Sequence, residues 1–337
     1  MIRTVLGDIA PETLGRTLMH EHIICDITPP SLRGVPGFDA PITMQSRFDI
    51  DYGRKRHTAK FQLLDQELAI AEVASFAEDG GQAIVELTIG GLDPDPVALA
   101  EISRATGVAI IMGCGHYTEE FQAPANHDRT VEDFAAEMIA AVRTGAWGTD
   151  IRAGIIGEIG CSAPWTALER RVMTAAVLAQ QETGASITIH PGVDPDQPAE
   201  IIAFIRALGG DVSRTIIDHV DRTIFDTDRL LRLADTGCVL ELDLFGYEHA
   251  YWSFAPVDMP NDGQRIQMLR ALADAGHGDR MLISQDICRL TRLRAFGGHG
   301  YGHILRNVAP LMLERGFSAA EVDQVLVHSP RRLLTFA

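Results

Sequence analysis

Two histidines flank a glutamate in the otherwise apolar stretch GRTLMHEHIICDI near the start of the chain. Successive side chains of a β-strand point to opposite faces, so His20 and His22 would share one face while Glu21 points to the other. Two imidazoles that converge in this way are suitable ligands for a divalent metal ion. A pair of hydrogen-bonded histidines lining a polar pocket would give the same pattern, so other residues must decide.

Further residues of metal-ligand type lie where other apolar segments end. The functional groups of a parallel barrel lie at the carboxyl ends of its strands, and these ends add four residues to the two histidines: Glu158, His190, His219 and Asp286. Four imidazoles and two carboxylates suit Zn²⁺, the preferred choice, or Mn²⁺, Co²⁺ or Fe²⁺ better than Ca²⁺. They are too many for one tetrahedral catalytic site. We therefore expect two divalent ions per chain, bridged by one carboxylate and holding a hydroxide between them.

Eight short apolar segments alternate with longer helical patterns along the chain. The candidate strands are GRTLMHEHIIC, QAIVELT, GVAIIMGCG, IRAGIIGEIG, ASITIHPG, RTIIDHV, GCVLELDL and DRMLISQD. Between them, Thr166 and Glu169 match a helix capping box, and Gly184 follows the last turn of the same helix. Strands alternating with helices favour parallel pairing, and the number eight favours closure. We predict an α/β fold, a (β/α)₈ TIM barrel forming a single domain over residues 1–337.

One segment interrupts this alternation. Residues 29–60 follow the first strand with proline, glycine and mixed charges but no clear hydrophobic period. We predict a long loop insertion that forms a lid over the barrel mouth. A solvated surface excursion is the alternative.

Composition limits the partners of the chain. The net charge of −17 disfavours a nucleic-acid or anionic-membrane surface, so we expect a small-molecule substrate. The first residues lack the pattern of a signal peptide, and no stretch reaches the roughly 18 apolar residues of a membrane span. The five cysteines are scattered singly, as reduced thiols would be. We expect a cytoplasmic protein.

The chain resembles the phosphotriesterase family of the amidohydrolase superfamily. The matching stretches are TVLGDIAPETLGRTLMHEH, GIIGEIG, TIHPG, IDHVDRT, ISQD and GGHGYGHILRNVAPLMLERG, which span nearly the whole chain in order. The resemblance implies that His20, His22 and Asp286 hold the more buried metal and that His190 and His219 hold the more exposed one. It also implies a homodimer.

The residue that bridges the two metals departs from a common pattern of this family. Many members use a carbamylated lysine on strand 4, but this chain has only Lys55 and Lys60, both in the predicted insertion. Glu158 therefore takes the bridging role, as in the subgroup of phosphotriesterase-related proteins that the chain resembles.

The expected activity is hydrolysis by a metal-bridging hydroxide, with Asp286 as the catalytic residue that accepts a proton and returns it to the leaving group. A plain ligand role for Asp286 is the alternative. Candidate substrate-binding residues at the barrel mouth are Tyr117, Arg222, Tyr247 and Arg289, with Asp243 nearby. Rim packing or a surface ion pair would explain each of them equally well.

The sequence indicates hydrolysis but does not select the type of bond that is cleaved. A carboxylic ester, a lactone or an N-acyl amide would each be served by a site that stabilises a tetrahedral oxyanion. Because arginines follow strands 6 and 8, we favour lactones or N-acyl amino acids that carry a carboxylate. The alternatives are a phosphotriester or phosphodiester hydrolase and a non-catalytic, metal-containing barrel that binds a ligand.

Overall fold

The computed structural model describes residues 1–35, 41–252 and 255–336. In this part of the chain, eight parallel strands form one sheet in which each strand pairs with its neighbours in sequence. They are β1 (Thr17–Glu21), β2 (Ala83–Glu86), β3 (Ala109–Cys114), β4 (Ile155–Gly160), β5 (Ile187–His190), β6 (Thr215–Ile217), β7 (Val239–Leu242) and β8 (Met281–Ile283). All eight candidate strands are confirmed.

The first and last strands meet and close the sheet into a barrel. Just beyond β8, the Asp286 N–H donates to the His20 carbonyl (3.2 Å), and the His22 N–H donates to the Ile287 carbonyl (3.3 Å). The predicted (β/α)₈ TIM barrel is therefore confirmed.

The helices surround this barrel. They are α1 (Met44–Asp51), α2 (Gln66–Glu78), α3 (Pro96–Thr106), α4 (Val131–Arg143), α5 (Ala167–Thr183), α6 (Gln197–Ala207), α7 (Val220–Thr223), α8 (Thr227–Ala234), α9 (Asp262–Asp274), α10 (Ala309–Glu314), α11 (Ala319–Asp323) and α12 (Ser329–Leu334). Thr166 and Glu169 form the predicted capping box of α5, and Gly184 ends that helix in a left-handed conformation. Among the described residues, no helix is long and apolar enough to cross a membrane.

Alternate residues of the strands supply two apolar layers. On β2, Val85 points into the barrel interior, where it packs with Met19, Ile111 and Leu282. Its neighbour Ile84 belongs to the layer between the strands and the helices. Because both faces of such a strand are buried, the sequence shows a continuous apolar run and not an alternating one.

The predicted insertion contains more regular structure than its sequence suggested. It includes the short 3₁₀ helices Pro30–Leu32 and Thr58–Phe61 and the eight-residue helix α1, which the sequence analysis did not predict. Thr43 and Ser46 form a capping box at the start of α1. Polar capping residues define this helix, whereas its weak apolar period gave no signal. Residues 36–40 of the predicted insertion lie outside the described residues.

Candidate metal centre

The strand ends bring the predicted ligands of the first metal together around Glu158. Glu158 Oε2 lies 3.5 Å from His20 Nε2, and Oε1 lies 3.3 Å from His22 Nε2. Asp286 Oδ1 lies 3.3 Å from His22 Nε2 and 3.8 Å from His20 Nε2. Two carboxylates therefore face the Nε2 atoms of both histidines.

The other two histidines contact the same carboxylate, through the oxygen that also faces His20. Glu158 Oε2 lies 2.9 Å from His190 Nδ1 and 3.5 Å from His219 Nε2. These two imidazole nitrogens lie only 2.7 Å apart. The structure thus gathers all six residues proposed from the sequence, with Glu158 in the centre.

Hydrogen bonds behind the imidazoles select the nitrogen that faces this centre. The Thr88 hydroxyl donates its one proton to Glu86 (2.5 Å), so at 3.0 Å it accepts from the Nδ1–H of His22. Nδ1 of His219 lies 2.7 Å from Asp243 Oδ1 and donates to it. In the neutral imidazoles, the Nε2 lone pairs of both histidines therefore point at Glu158.

This arrangement fits a cation. His20 is fully buried, and its Nε2 has no hydrogen-bond partner among the described residues, with Glu158 and Asp286 oxygens at 3.5 and 3.8 Å. A buried polar group without a partner is costly. Triads with ligand atoms within 4.8 Å of one another include His20, His22 and Glu158 as well as Glu158, His190 and His219. The donor set is thus suitable for metal on both sides of Glu158.

The electrostatics of the cluster point the same way. Burial disfavours a charged His22, but hydrogen bonds and charges from Asp286 and Glu158 outweigh it and raise its pKa to about 10. Burial also disfavours a charged His219, but the negative charge of Asp243 outweighs it, and the pKa of His219 rises to about 9. Burial and the neighbouring His219 lower the pKa of His190 to about 4. A bound metal ion would displace the protons that these carboxylates attract.

The backbone is irregular at the residues that supply this chemistry. His219 and Asp286 adopt left-handed conformations, with φ of 53° and 47°. The pairing register shifts between Leu18 and Glu21 on β1 and between Ile156 and Ile159 on β4, at His20 and Glu158. Such irregularities re-aim side chains, and left-handed non-glycine residues persist only where their surroundings hold them.

Glu21 has a structural role that the sequence analysis missed. Its side chain accepts hydrogen bonds from the Ser284 hydroxyl (2.8 Å) and from the N–H groups of Gln285 and Ile287 (2.9 Å each). These residues surround Asp286 on the chain, so Glu21 positions the loop that carries it. The signal was its place between the two histidines, on the opposite face of β1.

Asp243 lies beneath the cluster and not at the barrel mouth, where we expected it. It is fully buried and accepts from the backbone N–H of His219 (3.0 Å) as well as from its ring. Its Oδ2 also lies 3.2 Å from His20 Nδ1. Because the residue after β7 turns into the barrel, one carboxylate orients two histidines.

A cavity of about 820 Å³ opens above the cluster. His22, Glu158, His190, His219 and Asp286 lie at its base, which we call the floor. The Tyr117 hydroxyl lies 3.3 Å from both ring nitrogens of His190. Arg222 Nη2 lies 3.1 Å from His190 Nε2 and donates to the Pro191 carbonyl at 2.9 Å. Tyr117 and Arg222 therefore border the floor.

The opposite wall comes from the insertion and two later loops. Its lining residues include His57, Lys60, Phe61, Trp252 and Arg289. The Arg289 guanidinium lies over the rings of Phe61 (5.4 Å) and Trp252 (5.7 Å). This wall is rich in cations and aromatic rings.

Tyr247 is placed differently from the other predicted substrate-binding residues. It is not among the described residues that line this cavity, and it packs with Leu244 and Met259. The Arg292 guanidinium lies 3.5 Å from the centre of its ring. A rim-packing role, which the sequence left open, accounts for this position.

A second cavity, of about 1130 Å³, lies beside β3 and α4 and is lined by residues such as His116, Phe121, Glu137 and Trp147. None of the six clustered residues lines it. Although it is larger, the chemistry of its lining does not make it the candidate active site.

Comparison with known proteins agrees with this geometry. The chain matches the phosphotriesterase family over residues 1–334. It is 43% identical to an N-acetyltaurine hydrolase from Xenopus tropicalis over 346 residues, which cover 99% of this chain and 98% of the relative.

Solved structures give the same result. A resiniferatoxin-binding protein from Rhodobacter sphaeroides superposes with a TM-score of 0.93 at 32% identity, covering 99% of this chain and 94% of that one. A lactonase from Listeria monocytogenes superposes with a TM-score of 0.81 at 27% identity, covering 100% and 99%. The chain belongs to the phosphotriesterase family, and its relatives identify it as a hydrolase.

Proposed function

We propose that this protein is a binuclear metal-dependent hydrolase that cleaves the amide bond of small N-acyl amines carrying an anionic group. The observation that carries this proposal is the charge of the cavity: the cationic side chains Lys60, Arg222 and Arg289 stand around an anionic, metal-suited floor. A relative named N-acetyltaurine hydrolase supports it, because N-acetyltaurine is an N-acyl amine with a sulfonate.

We assign the metal ligands as the resemblance to the family implied. His20, His22 and Asp286 would hold one ion, His190 and His219 the other, and Glu158 would contact both. Zinc is our choice because imidazole nitrogens dominate the donor set. Two divalent cations held there would lower the pKa of a water molecule and polarise the carbonyl group of the substrate.

Asp286 is the proposed proton carrier. Its side chain is 13% exposed and lines the cavity, so it can reach a reacting water as well as the floor. In the proposed reaction the water oxygen bonds to the carbonyl carbon, and Asp286 accepts a water proton. Asp286 then returns it to the amine nitrogen as the C–N bond breaks, giving an amine and a carboxylic acid, which releases the second water proton to solvent and leaves as a carboxylate.

Tyr117 and Arg222 are proposed to position the substrate next to His190. The Tyr117 hydroxyl can donate to the substrate's carbonyl oxygen. Arg222, fixed by the Pro191 carbonyl, keeps a cationic group at the edge of the floor. Together they would orient the acyl group, while the cavity's other cations attract the anionic group.

The described residues of the insertion are proposed to act as a lid on this cavity. Leu32, His57 and Lys60 line it, and the helix α1 packs its C-terminal end against Lys60. A lid of this kind would exclude water from the bound substrate.

A substrate panel tests the proposal. Zinc-loaded protein is assayed against N-acetyltaurine, N-acetyl amino acids, lactones, carboxylic esters and organophosphates, with a Glu158→Ala variant as control. We expect the anionic N-acyl amines to be hydrolysed fastest and the control to be inactive. Preferred turnover of a lactone would instead support a lactonase, the second candidate that the Listeria structure favours.

The third possibility is a barrel that binds a ligand without catalysis. The Rhodobacter structure suggests it, because that protein is named for binding a ligand. Metal binding without turnover of any panel compound would support it and overturn the proposal.

A further inference from the structure

Lys60 is an unusual buried cation in the wall of the cavity. It belongs to the 3₁₀ helix Thr58–Phe61 and is only 6% exposed, yet it lines the cavity. Lysines are almost never buried to this extent unless they are paired. The described residues place no carboxylate in an ion pair with its ammonium group.

The ammonium group keeps hydrogen-bonding capacity. Lys60 Nζ donates to the Ile50 carbonyl at 3.1 Å, in the last turn of α1. An ammonium has three N–H donors, so this carbonyl accounts for one. A carbonyl at a helix C-terminus stabilises a cation only modestly.

The surroundings of Lys60 carry an excess of positive charge. Burial and the charges of Arg289 and Arg292 together lower its pKa to about 8, whereas Asp51 opposes them. Asp51 is also shared with Arg47, at 3.8 Å. Asp51 therefore faces several cations, and an anion bound beside Lys60 would relieve their repulsion.

Lys60 and Arg289 both lie beside the ring of Phe61. The Phe61 ring lies 5.0 Å from Lys60 Nζ and 5.4 Å from the Arg289 guanidinium carbon. Both side chains line the same cavity as Asp286, three residues before Arg289. Arg222 Nη2, on the His190 side of the cavity, contacts His190 and Pro191.

We propose that Lys60, flanked by Arg289, binds the sulfonate or carboxylate of the leaving amine and so makes the enzyme select anionic N-acyl amines over neutral ones. This inference rests on the proposed function and assigns the part of the site that sets its specificity. The insertion then contributes a specificity residue to a barrel whose strands carry the chemistry.

A purely structural role is the rival explanation, because Lys60 also ties the end of α1 to the 3₁₀ helix. The two explanations differ in their substrate dependence. Loss of the hydrogen bond between Lys60 and the Ile50 carbonyl would lower the rate of hydrolysis of every substrate. Loss of an anion site would lower the rate only for anionic substrates.

The kinetic test compares N-acetyltaurine with N-acetylethanolamine, in which a neutral hydroxyl replaces the sulfonate. Charged hydrogen bonds of this kind correspond to roughly 10- to 100-fold in binding. We expect Lys60→Met to raise the KM for N-acetyltaurine by about that factor with a kcat change below about threefold. Its kcat/KM for N-acetylethanolamine should stay within about twofold of wild type, and Lys60→Arg should recover most of the KM.

Lys55→Met is the matched control. Lys55 is the only other lysine of the chain, lies in the same insertion and also lines the cavity, but it is half exposed and pairs with Asp49 at 3.2 Å. The substitution removes a charge from the same wall, but one that is exposed and ion-paired, so the KM for either substrate should change by less than about twofold. Equal losses on both substrates in Lys60→Met, or an equal KM effect in Lys55→Met, would overturn the inference.

A second measurement needs neither turnover nor a variant. Wild-type protein is acetylated with N-hydroxysuccinimide acetate at pH 8, with and without ethanesulfonate, and Lys55 and Lys60 are followed by peptide mass spectrometry. We expect ethanesulfonate to slow the labelling of Lys60 by about fivefold or more and to leave Lys55 unchanged. Absence of selective protection would overturn the anion site.

The kinetic and labelling experiments test the anion site and the proposed function separately. Selective protection without hydrolysis of any N-acyl amine would refute the function and retain the anion site. Hydrolysis of N-acetyltaurine without protection, and without a KM effect in Lys60→Met, would retain the function and refute the site.

Discussion

The floor of the cavity and the wall opposite it are built in different ways. The floor side chains come from the ends of β1, β4, β5, β6 and β8, and buried carboxylates such as Glu21 and Asp243 fix them from behind. The opposite wall comes from the insertion and from loops, and its cations contact carbonyls and aromatic rings. The rigid floor is suited to chemistry, whereas the wall is suited to the choice of substrate.

The largest expected effect comes from the centre of the floor. Glu158→Ala removes the carboxylate that faces all four histidines, so we expect loss of bound metal and a fall in kcat/KM of about 10³-fold or more. Metal analysis by mass spectrometry and steady-state kinetics measure the two effects. Full metal content with near wild-type activity would show that Glu158 is not the bridge.

The next effect tests the carboxylate beneath the floor. Asp243→Asn should weaken metal binding by roughly 10- to 100-fold, because His219 Nδ1 and His20 Nδ1 lose an anionic acceptor. Competition with a chelator measures the affinity. Asp128→Asn changes the same group at an exposed position, in the segment Pro124–Asp128, and serves as control. Unchanged affinity in Asp243→Asn would mean that it does not orient the histidines.

A smaller effect should come from the pH dependence of the wall. Burial and the neighbouring Arg289 and Arg292 lower the pKa of Lys60 to about 8, while Asp51 opposes them. The protonated form binds an anion, so kcat/KM for N-acetyltaurine should fall up to about tenfold, relative to N-acetylethanolamine, as the pH rises from about 7 to 9. Lys60→Arg should flatten this ratio. A flat ratio in the wild type would argue against Lys60.

The smallest effect concerns Tyr247. Tyr247→Phe keeps the ring that contacts Arg292 and removes only the hydroxyl, so kcat and KM should each change by less than about twofold. Steady-state kinetics on N-acetyltaurine checks this. A tenfold rise in KM would restore the substrate-binding role that the sequence suggested.

The same contrast explains what the sequence could predict. The strands of a closed parallel barrel are buried on both faces, so their apolar runs stand out, and the strand-end rule then identified all six clustered residues. Glu21 and Asp243 were harder to place because their roles depend on contacts across the barrel. Glu21 contacts residues at least 263 positions away in the sequence, and Asp243 contacts His219, 24 positions away.

The insertion was predicted least well. Helix α1 depends on a capping box and not on an apolar period, and the burial of Lys60 depends on packing against residues that follow β8. In the sequence, Lys60 belongs to an ordinary charged stretch. Contacts between distant loops leave no local pattern, so such positions need the structure.

The central claim is that the floor is a two-metal centre that performs hydrolysis. Its most direct test is the zinc content of the dialysed, zinc-loaded protein, measured on the same sample as the rate of N-acetyltaurine hydrolysis. We expect about two zinc ions per chain, with hydrolysis lost when a chelator removes them and regained when zinc is returned. Zinc binding of less than about one ion per chain, or hydrolysis that persists in the metal-free protein, would contradict the account.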